Sequence, residues 1–222
     1  MYKVKLMTED ISTTYKLAAS YTIGSYILPG EPIDKIQEIV ESKIQLSIIP
    51  CDEILIRVKS GEFEMGLIES PLTDEKLIFK EWMSDELVVC SKRPLPDTFG
   101  KEEISTCKLI CRPEGTLTRT FVTNFLKKFN LSYQSFNSLL EIGNPTAMIQ
   151  SIKWSKPNTI NPTIAIVSQL AIESELKYKE LYQSQINNSP MKRKFHLVYS
   201  KNNSNMEYIQ EIITTLRKLN RG

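Results

Sequence analysis

The 222-residue chain is 41% hydrophobic and 24% charged, with a formal net charge of +2, the profile of a globular protein able to bury one large or two small cores. No basic excess of the kind that holds phosphate backbones is present, so direct nucleic-acid binding by this chain is not expected. The opening MYKVKLMTEDIS is mixed and charged, and no run approaches the roughly 20 apolar residues of a membrane span; the chain is expected in the cytoplasm.

Period-two alternation at 15–20 and 44–48 predicts two strands, and Ile33, Ile36, Ile39 and Val40 recur at helical spacing between them. Asp52 is placed to cap a second helix carrying Ile54, Leu55 and Val58 and stopping at Gly61, with a strand at 64–68. After Pro71 come two strand-like stretches, 77–82 and 86–91, and the breaker-rich SKRPLPDTFG then marks a change of region.

A second lobe is expected to begin there, with strands at 108–111, 136–142 and 163–167. Its first helix follows Thr116 and stacks Phe121, Val122, Phe125, Leu126 and Phe129 on one face, and Asn144 and Pro145 form an N-cap and first helical position for another. A strand at 194–199 and a helix opened by Asn205, with Ile209, Ile212, Ile213, Leu216 and Leu219 as its apolar stripe, close the chain. This alternation predicts an α/β fold with mainly parallel sheets covered on both faces.

Cys51, Cys90, Cys107 and Cys111 lie in or beside apolar segments and read as buried reduced thiols. The alternative is a redox switch using Cys107 and Cys111, at opposite ends of a predicted strand. A single histidine leaves a Cys/His zinc site short of ligands, and His196 reads as structural. Trp82 and Trp154 read as packing residues. No metal or cofactor is expected.

In open parallel sheets the carboxyl ends of strands and the amino ends of the following helices meet at one crevice, where unpaired N–H groups favour anions. Ser20, Tyr21 and Thr22 occupy that place in the first half, Gly115, Thr116, Asn144 and Thr146 in the second. Small hydroxyls and an open glycine backbone suit a carboxylate or oxyanion; helix capping is the competing role for each. Arg112 and Arg119 either supply charge to the same cleft or are solvated.

Four stretches, in order, resemble the effector-binding domain of LysR-type transcriptional regulators: KLAASYTIGSYILP, VKSGEFEMGLIESP, RPEGTLTRTF, and LLEIGNPTAMIQSI with IAIVSQLAIESEL. The resemblance spans roughly residues 14–218 and rests on order and spacing together. It implies two Rossmann-like lobes joined by crossing strands, similar to periplasmic binding proteins of type 2. Its discontinuous domains would be the end of a linker at 1–14, lobe I at 15–91 and 191–222, and lobe II at 92–190. In that architecture Glu69 and Ser70 line the cleft mouth, with capping or interlobe contact as the alternative. Leu117 stands where the family loop has glycine, and SKPNTINPTIAI replaces a Gly-Leu-Gly-Ile approach; both touch the cleft wall of the second lobe.

The function implied is sensing of a small anionic coinducer between the lobes, with no catalysis. DNA would be bound only through an N-terminal helix-turn-helix upstream of a chain that begins at the end of the linker. A homodimer is implied, through the helix at 31–41 and the strand at 44–49 against the partner's second lobe, becoming a tetramer at full length. The apolar side chains Ile33, Ile36 and Val40 either supply that surface or face their own core. A transport-type solute-binding protein shares the fold, and an upstream signal peptide in place of a helix-turn-helix would distinguish it. An enzyme is disfavoured, as no nucleophile elbow, phosphate loop or zinc pattern is present.

Overall fold

A computed structural model describes residues 14–69, 74–96, 98–156 and 161–219. Most of the expected linker end, Ser70, Pro71 and positions 157–160 of the SKPNTINPTIAI departure lie outside the described residues. The chain runs β1 (Thr14–Ala19), a π-helical turn (Ile23–Ile27), α1 (Glu31–Val40), β2 (Lys43–Ile48), α2 (Cys51–Lys59), β3 (Met65–Ile68) and β4 (Leu77–Ser91). It continues α3 (Lys101–Thr106), β5 (Lys108–Cys111), α4 (Leu117–Lys127), β6 (Ser138–Glu141), α5 (Pro145–Lys153), β7 (Thr163–Ser168), α6 (Glu173–Lys177), β8 (Tyr182–Ser184), β9 (Met191–Ser200) and α7 (Met206–Leu219).

Strand order is β2-β1-β3-β9-β4-β7-β5-β6, with β8 paired to β4. Pairing is parallel within each half, where β1 joins β2 and β3, and β5 joins β6 and β7. It is antiparallel wherever β4 or β9 takes part. Those two long strands run from one half into the other, so hydrogen bonding is continuous while packing is not.

Among the described residues, four separate apolar clusters follow from period-two alternation. In the first half Leu17 and Ala19 face one cluster with α1 and α7, and Ala18 faces another with Ile54 and Val58 of α2. In the second, Leu87 and Val89 face α4 while Val88 and Cys90 face α5. Each half is therefore a sheet covered on both faces, and the fold has two lobes. Leu87, Val89 and Met191 pack in the second lobe's core, so the chain passes between lobes inside β4 and β9.

The expected strands 77–82 and 86–91 are one strand of 15 residues, its register shifting between Glu81 and Ser84. The polar run that looked like an interruption holds Asp85, which is buried because Arg193 of β9 answers it at 2.7 Å. β9 correspondingly starts at Met191, not 194. Asp52 does not cap α2: Pro50 is the N-cap and Asp52 sits in the first turn, beside the positive end of the helix dipole. Strand β6 is shorter than the predicted 136–142. The short α3, with Ile104 as its buried residue, carries too little periodicity to be predicted.

Ile36 and Val40 are buried in their own core, with Ile33 and Ile39 packed partly against it, which answers the alternative left open for α1. Trp82 packs as expected and donates from Nε1 to the Leu216 carbonyl at 3.1 Å. Trp154 does not pack; it is 83% exposed. Helix α2 lies close on the sheet because Gly66 has no side chain: a Cβ there would meet Ile54 at 2.3 Å. That close seating fixes where the N-terminus of α2 points.

Candidate functional site

The ends of β1, β3 and β5 and the starts of α2, α4 and α5 meet around one cavity of about 290 Å³. Seven of the nine expected site residues line it: Ser20, Tyr21, Thr22 and Glu69 from one lobe, and Arg112, Gly115 and Thr116 from the other. Asn144 and Thr146 are not among its lining residues. Asn144 Oδ1 accepts from the Ala147 N–H at 2.8 Å, the capping role, and Thr146 is exposed with its side chain bonded to Tyr26.

Ser20 follows the last residue of β1, where its backbone N–H donates to the Leu67 carbonyl at 2.9 Å. The residue lines the cavity, is 2% exposed, and its Oγ has no hydrogen-bond partner among the described residues. A buried hydroxyl in that state forfeits about 1–3 kcal/mol of desolvation until something pairs with it. Thr22, also buried, starts the π-helical turn without a side-chain capping bond. Gly115 takes φ +83°, a conformation that side chains disfavour, and so turns the chain into Thr116, the N-cap of α4.

Arg112 reaches across from the second lobe. Its guanidinium lies 5.4 Å from the centre of the Tyr21 ring and donates to the Gly143 carbonyl. Burial lowers its pKa while Glu69 opposes the shift, and a guanidinium so placed stays charged. Arg119 does not join it. It lies on the buried face of α4, its guanidinium 3.4 Å from the Tyr133 ring centre, with Nη1 donating to the Arg112 carbonyl at 3.0 Å and to Cys111 Sγ.

The turn from β2 into α2 was missed as a source of site residues, although Ile49, Pro50, Cys51 and Asp52 all line the cavity. The rule that found Ser20 and Thr116 applies there equally, because this too is a strand-to-helix turn of a parallel sheet. Cys51 Sγ donates to Glu69 Oε2 at 2.8 Å, and burial together with the Glu69 charge pushes its thiol pKa well up. The thiol is therefore a neutral donor. Leu117 lines the cavity as well, so the first departure from the family loop does stand on the cleft wall.

Thr118 lines the cavity and also accepts from Arg193 Nη1 at 3.3 Å. Arg193 in turn is held by Asp85, whose other oxygen accepts from Ser168 at 2.7 Å. A buried polar chain thus joins the cavity wall to both crossing strands and to β7. His196 is nearly buried in β9, with its pKa lowered by burial, and it is not a lining residue of the cavity.

The sequence matches the family model of the LysR substrate binding domain over residues 8–221. The HTH-type transcriptional regulator CysL of Bacillus subtilis (strain 168) is 27% identical over 208 residues, covering 91% of this chain and 66% of that protein. The chain thus spans a little under two thirds of that relative's length. The regulatory domain of CcmR from Synechocystis PCC6803, solved in complex with 2-PG, has a TM-score of 0.75 at 21% identity, over 93% of this chain and 96% of that one. The effector binding domain of QuiR in complex with shikimate has a TM-score of 0.73 at 15% identity, over 93% and 98%.

Proposed function

This chain belongs to the LysR substrate-binding domain family, and from that premise we propose that it holds a small-molecule effector between its lobes and relays its occupancy to a DNA-binding segment of the full-length regulator. The observation that carries this reading is a cavity built from both lobes and lined by Ser20, whose buried Oγ has no partner among the described residues. Ser20, Tyr21, Thr22 and Glu69 would hold the effector from lobe I, and Arg112, Gly115 and Thr116 from lobe II. Asn144 caps α5, whose Pro145 lines the cavity, and neither Asn144 nor Thr146 is assigned a contact with the effector. The similar CcmR and QuiR domains, solved with 2-PG and shikimate, support a ligand of this size.

We take lobe I as 15–91 with 191–222 and lobe II as 92–190, preceded by a linker end, with exchange between lobes along β4 and β9. An effector that contacts both lobes binds one relative arrangement better than another, and that difference is the signal. The domain itself performs no chemistry. It works in the cytoplasm, where the regulated DNA is, and contacts DNA only through a helix-turn-helix elsewhere in the protein.

The proposed homodimer pairs α1 and β2 with lobe II of the partner, two such pairs forming the full-length tetramer. Strands β2 and β6 are the two ends of the sheet path, with Ile48 on the first and Leu139 and Leu140 on the second each about 40% exposed. Sedimentation velocity at tens of micromolar should give a dimer, which Leu140→Glu should convert to monomer; a wild-type monomer would refute this pairing.

The cleft reading is tested by a thermal-shift screen with amino acids, dicarboxylates, aromatic acids and oxyanions, followed by calorimetry on Thr22→Ala and Thr116→Ala. Each variant should bind about tenfold to a hundredfold more weakly. Parent-like affinity in both would mean the ligand sits elsewhere.

A further inference from the structure

The charges around the cavity are segregated. Two carboxylates, Asp52 and Glu69, lie on the lobe I wall, and the guanidinium of Arg112 is the cationic side chain among the described lining residues. None of the three closes into an ion pair with another described side chain. Among the described lining residues the cavity wall therefore carries one more negative side chain than positive. A purely anionic effector would have to meet both carboxylates.

Helix ends follow the same division. The first turn of α2, at the lobe I wall, already contains Asp52 and Glu53, so its positive end is answered. The first turns of α4 and α5, at the lobe II wall, contain no acidic residue, and beside them stands Arg112. One wall is negative and the other positive, and Ser20, 2% exposed and with no partner for its Oγ among the described residues, lines the cavity. The bond from Cys51 to Glu69 Oε2 orients that carboxylate without cancelling its charge, because the thiol is neutral.

We infer that the effector is bipolar, a small molecule of the amino-acid class whose anionic group lies toward Arg112 and the start of α4 and whose ammonium lies toward Glu69 and Asp52. This deepens the cleft reading above and rests on it. A molecule with both groups answers charges that close into no ion pair with a described side chain, whereas a bare oxyanion answers one and is repelled by the other. Glu69 is then the residue that determines specificity, separating an amine from the hydroxyl of an otherwise equal acid.

The test is calorimetry and thermal shift on the domain with the proteinogenic amino acids, the matched hydroxy acids L-lactate, L-glycerate and L-malate, and inorganic phosphate and sulfate. At least one amino acid should bind, and its hydroxy acid should bind about tenfold or more weakly. Glu69→Gln, checked for folding by its ligand-free melting temperature, should shrink that gap to under about threefold, and Arg112→Gln should weaken both members alike. The inference is overturned if no amino acid binds, if phosphate, sulfate or a hydroxy acid binds more tightly, or if Glu69→Gln leaves the gap intact. Should anions alone bind and weaken in Ser20→Ala, the cleft stands and the bipolar effector falls. Binding indifferent to both Ser20 and Thr116 removes the cleft reading itself.

Discussion

Arg193 of β9 and Asp85 of β4 form an ion pair of 2.7 Å with side chains 3% and 0% exposed, and it ties together the two strands that pass between the lobes. Removing one partner leaves a buried charge alone, so Arg193→Met or Asp85→Ala should each cost about 3–5 kcal/mol in urea unfolding. The double variant should recover part of that loss, because the surviving charge goes too. A double variant that loses the sum of the two single costs would show that the two charges do not act as a pair.

Ser20→Ala separates stability from binding. In the free protein it deletes a hydroxyl that is buried without a partner, so the melting temperature should hold or rise, by up to about 1 kcal/mol of stability. Effector affinity should nevertheless fall about tenfold. A destabilised variant with unchanged affinity would assign Ser20 to the scaffold.

Two caps, one off the cavity and one on it, predict different effects on binding. Asn144 accepts at 2.8 Å and lies off the cavity, so Asn144→Ala should cost about 1 kcal/mol and leave the dissociation constant alone. Thr116 accepts from the Arg119 N–H at a long 3.4 Å but donates to the Pro113 carbonyl at 2.9 Å, so Thr116→Ala should cost a comparable amount of stability and, unlike Asn144→Ala, weaken binding. Thermal melts paired with calorimetry on both variants give the two numbers for each.

Burial, with Glu175 adding to it, pushes the Cys90 thiol up to about 12, while an unfolded cysteine titrates near 8.5. The unfolded chain loses that proton first, so the contribution is complete below about pH 8.5 and is lost as pH rises toward 12, at about 1.4 kcal/mol per pH unit. Cys90→Ala should flatten the decline of stability between pH 9 and 11, measured by urea titration. An unchanged slope would mean that other groups set it.

Periodicity in the sequence placed β1, α1, α4, β7 and α7, because whether a side chain faces core or solvent repeats locally along a strand or helix. It also located much of the cleft, since Ser20, Thr22, Gly115 and Thr116 sit at strand-to-helix turns and parallel sheets bring such turns together. Local pattern did not carry the pairing of distant charges. Asp85 looked like a break in a strand because its partner, Arg193, lies 108 residues away. Arg119 looked free to serve the cleft until Tyr133 and Cys111 claimed it. Trp154 has the composition of a core residue and stands in solvent, at the end of a helix whose buried face is already filled by Met148, Ile149 and Ile152. Most consequentially, the facing of Glu69 and Asp52 against Arg112 exists only once two lobes close on each other, since electrostatic opposition depends on distance in space and not on order along the chain.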